Sequence, residues 1–148
     1  MREIRSEEAY RLYECLESLA KHHNDVSVYF KGLYPTISSE ELINSFKKEM
    51  EEGKAYIAVV EDEEKVIGFC KISVDCLKGN LDYLAVLKQE RGKGYGTALM
   101  DWAFNRFRQL QISDIEVKVV YGNDVIDLYK KYGFKEKSII LKLDTDYQ

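Results

Sequence analysis

Between Arg91 and Thr97 three glycines alternate with larger residues, Arg91-Gly92-Lys93-Gly94-Tyr95-Gly96-Thr97, at a point where the hydrophobic pattern changes its period. Before this stretch, Leu81 to Leu87 is a short apolar run of the kind a buried strand needs. After it, Leu99, Met100, Ala103, Phe104, Phe107 and Leu110 recur at helical spacing. Glycine at such a junction permits positive φ and lets main-chain N–H groups approach a ligand without interference from Cβ. At a helix N-terminus those N–H groups lack intrahelical partners and the dipole is positive, which favours phosphate oxygens. Arg91 and Lys93 add charge at the same end.

The rest of the chain supplies what a strand–loop–helix unit needs around it. Ala9, Leu12, Tyr13, Leu16, Leu19 and Ala20 predict an amphipathic helix from Ser6 to about His22. An irregular segment, Asn24 to Thr36, carries Tyr29, Phe30, Tyr34 and Pro35. Ser38 followed by Glu41 forms a capping box for a second helix, with Leu42, Ile43, Phe46 and Met50 as its buried stripe and Gly53 as its stop. Ala55 to Val60 and Lys65 to Val74 read as a hairpin joined by the acidic turn Glu61-Asp62-Glu63-Glu64. Lys78-Gly79-Asn80 is expected to turn the chain into the strand Leu81 to Leu87. Ile115 to Tyr121 predicts a further strand, Val125 to Tyr132 a short helix ended by Gly133, and Glu136 to Leu143 a final strand; a short strand at Glu3 to Arg5 fits as well. Hairpins first and a strand–helix–strand crossover later imply a mixed sheet covered by helices.

At 148 residues, without repeats, linkers or low-complexity segments, residues 1–148 read as a single domain. The balance of 22 basic against 26 acidic residues, net −4, argues against a nucleic-acid partner, which usually demands a basic surplus. No apolar run reaches the roughly 18 residues of a membrane span, and no secretory h-region follows Met1, so a cytoplasmic location away from membranes is expected. Cys15, Cys70 and Cys76 lack CxxC spacing and fall in apolar segments, so buried reduced thiols are expected. His22-His23 has no third ligand at useful spacing; no metal is expected.

Two phosphate motifs do not fit the glycine loop. Lys93 is followed by Gly94 rather than Ser or Thr, as a P-loop requires. From Gly92 and Gly94 the third glycine of a dinucleotide fingerprint would fall on Thr97. Arg91-x-x-Gly94-x-Gly96 instead resembles the Gln/Arg-x-x-Gly-x-Gly/Ala motif of the GCN5-related N-acetyltransferases. Leu81-Asp82-Tyr83-Leu84-Ala85-Val86 is similar to that family's fourth strand. Asn123 with Leu128-Tyr129-Lys130-Lys131-Tyr132-Gly133-Phe134 is similar to its Asn…Leu-Tyr-x-x-x-Gly-Phe segment. The resemblance is strong from about Ala55 to Leu143. The chain departs from the pattern at Ile126, where the family often has a small residue, and at Asp82, where it often has Glu.

The resemblance implies an α/β (α+β mixed) fold whose fourth and fifth strands splay apart to admit acetyl-coenzyme A as cosubstrate. It implies transfer of the acetyl group to a primary amine by direct attack. By position, Leu84 and Val86 would pair with the pantetheine arm, and Arg91, Gly92, Lys93, Gly94, Tyr95, Gly96 and Thr97 would hold the pyrophosphate. Asn123 would either bond the cosubstrate or cap the short helix. Tyr129 matches the family's general acid, and Asp82 is the candidate to accept the amine proton, as against a plain salt-bridge partner. The acceptor, a small-molecule or peptide amine, would meet the N-terminal helices and the aromatic stretch 29–34. The resemblance also admits a homodimer. The rival reading is a noncatalytic coenzyme A-binding module of the same fold, with Tyr129 as the discriminating residue.

Overall fold

The computed structural model describes residues 1–32 and 36–145. One five-stranded sheet runs in chain order: β1 (Arg2–Glu3), β2 (Ala55–Asp62), β3 (Lys65–Asp75), β4 (Lys78–Val86) and β5 (Asp114–Val117). Neighbours are antiparallel up to β4, and β5 lies parallel to β4. A parallel neighbour needs a crossover, and α3 (Tyr95–Gln109) provides it. The mixed sheet with covering helices is as the sequence predicts.

The N-terminal helix turns α-helical only at Tyr13. Ser6–Leu12 is a 3-10 stretch that passes directly into α1 (Tyr13–Val26). In α2 (Ser39–Glu51), the Ser38 hydroxyl accepts the Glu41 N–H at 3.1 Å, so the predicted N-cap is in place. The short helix α4 covers Val125–Lys131. Among the described residues, no helix is long and apolar enough to cross a membrane.

Side chains from both faces of the sheet meet helices. On β4, Val86 borders Gly68 and Leu99 of α3, whereas Tyr83 packs on Phe46 of α2 with ring centroids 5.1 Å apart. Three residues apart, these two positions point to opposite faces, as strand geometry demands. Gly79 also faces α3: a Cβ there would lie 2.5 Å from Cε1 of Phe107, so only glycine lets the helix come this close. In a regular strand Gly79 and Tyr83 would share a face. They do not, because the register slips between Lys71↔Tyr83 and Ile72↔Leu81, leaving Asp82 as the extra residue of a β-bulge.

Four expectations are corrected. Lys78-Gly79-Asn80 is not a turn but the start of β4; the chain reverses at Cys76-Leu77, with Cys76 at φ 55°. Cys76 is therefore exposed, while Cys15 and Cys70 are buried as expected. The fifth strand stops at Val117 rather than Tyr121, because its ladder with β4 ends at Leu81↔Val117. Residues 135–145 form no strand; Ile139, Ile140, Leu141 and Leu143 are 81–90% exposed. β-propensity alone does not make a strand without an edge to pair with, and the β5 ladder is only four residues long.

The β2–β3 reversal is tighter than its acidic run suggests. Glu61 and Asp62 stay in β2, and only Glu63 (φ 50°) and Glu64 (φ 73°) turn. Two successive left-handed residues are the turn for which Asn-Gly is the preferred sequence, and non-glycine residues pay roughly 1–2 kcal/mol each for that conformation. Replacing Glu63-Glu64 by Asn-Gly is expected to stabilise the fold by on the order of 1 kcal/mol, roughly 2–4 °C in Tm for a chain of this size. Thermal unfolding followed by circular dichroism measures it; an unchanged or lower Tm would contradict the strain.

Candidate active site

The ladder between β4 and β5 joins Lys78–Leu81 to Asp114–Val117 and goes no further. Asp82 to Val86 therefore keep β3 on one side and, among the described residues, have no strand on the other. Which backbone groups this frees follows from the register. Leu87 N–H donates to the Ile67 carbonyl at 2.9 Å, so 67/87 is a hydrogen-bonded pair, and the pairs Gly68↔Val86 and Cys70↔Leu84 are non-hydrogen-bonded ones. The N–H and C=O of Leu84 and Val86 consequently point away from β3, into the split. One is already used: Arg91 Nε donates to the Val86 carbonyl at 3.0 Å.

The glycine loop lies at the upper end of this split. Gly92 (φ 79°) and Gly94 (φ 88°) are left-handed, and Gly94 is the N-cap of α3 with no side chain bonded to it. The first intrahelical bond is Ala98 N–H to the Gly94 carbonyl. The N–H groups of Tyr95, Gly96 and Thr97 precede it and have no intrahelical carbonyl to meet. A Cβ on Gly92, Gly94 or Gly96 would touch nothing, so the space in front of the loop is open. Lys93 is tied to Glu90 at 2.8 Å, which reduces its contribution to the local field. Strand edge and loop together form an open cradle of main-chain donors suited to an extended anionic thioester such as acetyl-coenzyme A.

Tyr129, on α4, is 6% exposed and makes an edge contact with Phe134 at 5.7 Å. Burial, with the Cys70 thiol adding to it, pushes its phenol well above the usual range. Cys70 is the cross-strand partner of Leu84. Asn123, also buried, uses Oδ1 to accept the Val125 N–H at 3.1 Å, capping the head of α4. Its carboxamide nitrogen is the remaining polar atom.

Asp82 is a salt-bridge partner. Its Oδ2 accepts from Lys71 Nζ at 2.5 Å, and Lys71 also donates to Glu49 Oε2 of α2 at 2.9 Å. Sequence reasoning did not single out Lys71 or Glu49. The available signal was a lysine inside the otherwise apolar run Val66-Ile67-Gly68-Phe69-Cys70-Lys71-Ile72, a position that a solvated cation would not occupy. Asp82 borders a cleft of about 310 Å³ shared with Asn80, Leu81, Glu116 and Lys118. Ion pairs, first with Lys137 and then with Lys78, hold the Glu116 carboxyl down to about 2.

From the predicted aromatic stretch, Tyr29 is exposed and stacks on Tyr121 at 6.0 Å, and Phe30 N–H is held by Ser27 Oγ. Tyr34 and Pro35 lie outside the described residues. His22 and His23 have ring centroids 6.4 Å apart, and among the described residues no group of three or more His, Cys, Asp or Glu could hold a metal ion.

The acetyltransferase (GNAT) domain matches residues 53–136, more than half of the chain. The chain belongs to the GNAT acetyltransferase family. Among curated proteins, an N-alpha-acetyltransferase of Sulfurisphaera tokodaii is 28% identical over 110 residues, 64% of this chain and 65% of that relative. The chain thus spans less than two thirds of that relative's length. A predicted acetyltransferase from Clostridium acetobutylicum, solved with acetyl-CoA, superposes with a TM-score of 0.76 at 20% identity, covering 97% of this chain and 94% of that one. The PaiA N-acetyltransferase of Thermoplasma acidophilum, solved with coenzyme A, gives 0.68 at 19%, covering 95% and 94%. At such identities these structures establish the shared GNAT fold.

In this GNAT domain the left-handed Gly94 opens α3 beside the freed edge of β4. Gly94→Ala places a Cβ in open space but in a strained backbone, at roughly 1–2 kcal/mol. The substitution is expected to lower coenzyme A affinity at least about tenfold, equivalent to about 1.4 kcal/mol, while the domain stays folded. Isothermal titration with coenzyme A measures this. Wild-type affinity in a folded variant would mean that the loop grips no phosphate.

Proposed function

We propose that residues 1–148 act as one N-acetyltransferase domain that transfers the acetyl group of acetyl-coenzyme A to an α-amine, by direct attack of the neutral amine on the thioester. The single observation that carries this reading is the split itself: the edge of β4 at Leu84 and Val86, beyond its ladder with β5, runs into a glycine-opened helix N-terminus.

Bound in the split, acetyl-coenzyme A supplies an activated acyl group. The Arg91 to Thr97 main chain holds its pyrophosphate. The Leu84 and Val86 edge pairs with the pantetheine arm, and the Val86 N–H polarises the carbonyl as an oxyanion-type donor. As the N–C bond forms and the C–S bond breaks, Tyr129 gives its proton to the departing sulfur and the acceptor nitrogen loses one to Asp82, through water or directly. Asn123 fixes the start of the helix that carries Tyr129.

Two considerations favour an α-amine over a lysine side chain. The curated relative in Sulfurisphaera tokodaii is an N-alpha-acetyltransferase. Physically, an α-amine near pKa 7.7–8.0 needs only about 1 kcal/mol to be neutral at pH 7, whereas a lysine near 10.4 needs roughly 4–5 kcal/mol. Asp82 is already bonded to an ammonium, so an acceptor that sheds its proton readily suits it.

The test is thiol release from acetyl-coenzyme A with two series of short peptides, one with a free N-terminus and one with the N-terminus blocked and a free lysine. Release with the first series alone is expected. Release with the second alone would move the acceptor to side chains. Coenzyme A binding without release in either would favour the noncatalytic module.

Tyr129→Phe is expected to lower kcat at least about tenfold, or about 1.4 kcal/mol, with the KM for acetyl-coenzyme A unchanged; wild-type turnover would remove Tyr129 from the acid role. Because burial raises the Tyr129 phenol above its unfolded value near 10, the folded protein keeps a proton that the unfolded chain releases. This contribution to stability is therefore present below pH 10 and is lost as pH rises beyond it. Turnover should accordingly show no alkaline loss between pH 8 and 10, as a pH–rate profile would reveal.

A further inference from the structure

Lys71 lies in the middle of β3 between Cys70 and Ile72, both fully buried, and is itself 3% exposed. Its Nζ donates to Asp82 and to Glu49 and sits 4.9 Å from the centroid of the Phe46 ring. Taking an ammonium out of water is costly, and an apolar side chain of similar length would join β3, β4 and α2 without that cost. The cation has a notable position. Its strand neighbour is the bulge where β4 gains the extra residue Asp82, one residue beyond the last β4–β5 pair at Leu81↔Val117. Charge, bulge and split coincide at one point of the sheet.

We propose that Lys71 and Glu49 are positioning residues for Asp82: the Lys71 ammonium aims the Asp82 carboxylate at the start of the split, and Glu49 keeps that ammonium paired when Asp82 takes up a proton. The inference rests on Asp82 being the proton acceptor. In that step an N–H bond of the acceptor nitrogen, made acidic as its N–C bond to the acetyl carbon forms, breaks; its electron pair stays on nitrogen, and the proton ends on an Asp82 oxygen. With Asp82 neutral, Lys71 would be a buried cation with no counter-ion were it not for Glu49. Glu49 thus keeps the Lys71 ammonium paired through the step, and Lys71 holds the Asp82 carboxylate in place before it. The other groups around Asp82 are Cys70 on β3, Tyr83 on β4, and Glu116 and Lys118 across the cleft. Burial raises Cys70 and Tyr83, with Asp82 adding to both, so neither is ionised near neutrality. Glu116 is committed to Lys137 and Lys78.

The two residues make opposite predictions, which a merely structural role would not. Loss of a neighbouring cation strengthens a carboxylate's hold on its proton, and loss of a neighbouring anion weakens it. With acetyl-coenzyme A and one fixed free-N-terminus peptide as probes, the acid limb of the kcat profile should move up by about one pH unit in Lys71→Met and down in Glu49→Gln. Lys71→Arg should leave it near the wild-type position, and the KM for acetyl-coenzyme A should not change in any of the three. In Glu49→Gln, plateau kcat should fall at least about fivefold, because the protonated state of Asp82 loses its support. Should Lys71→Met not fold, Glu49→Gln and Lys71→Arg carry the test alone. Shifts in the same direction, or none in folded variants, would overturn the positioning role. Asp82→Asn separates the two readings: wild-type kcat there removes Asp82 as acceptor, whereas a large loss with unmoved Lys71 and Glu49 profiles removes only this inference.

Discussion

The structure depends on a place where hydrogen bonding stops. A sheet normally satisfies every backbone donor and acceptor along each inner strand, yet β4 loses its partner after Leu81 while still bounded by β3 on the other side. The bulge at Asp82 makes this possible. One extra residue bends and twists the strand away from β5 and changes which side chains face which helix. The exposed edge beyond it is a row of unpaired groups in a fixed register, and Arg91 already occupies one of them at Val86. Everything assigned to the cosubstrate follows from that edge and from the helix start that continues it.

The same point of the sheet holds the most unusual electrostatics in the molecule. A lysine, two carboxylates and an aromatic face converge where β3, β4 and α2 meet. In the ordinary logic of packing this is an expensive way to fill a core position. In the proposed site it gives a carboxylate a defined direction. The rest of the core is conventional: Phe69, Ile72 and Ile57 on the strands, Leu12 and Leu16 from the N-terminal helices, Leu99, Met100 and Phe107 from α3.

Much of this was legible in the residues. The period change around Arg91-Gly92-Lys93-Gly94 marked the strand, the loop and α3, and the stripe Leu99, Met100, Ala103, Phe107 is buried as its spacing requires. Ser38 caps α2 because a hydroxyl at that position has a free N–H to accept. What failed did so for reasons local pattern cannot contain. Lys78-Gly79-Asn80 looks like a turn, but Gly79 is demanded by Phe107, twenty-eight residues away. Cys76 reads as core because it follows the largely apolar run Val66 to Val74, yet the reversal needs two residues and takes it out of the sheet. The run Glu136 to Leu143 has the composition of a strand but finds no ladder. Lys71 and Glu49 are twenty-two residues apart, and nothing in the spacing says that one ammonium serves both Glu49 and Asp82.

The distribution of sulfur has a practical meaning. Burial pushes the Cys15 thiol up to about 12 and raises Cys70 likewise, so neither offers a thiolate to an electrophile at neutral pH. Cys76 sits in the open at the far end of the β3–β4 hairpin, away from the glycine loop. A maleimide dye or spin label would therefore attach at one natural address without a cysteine-free background.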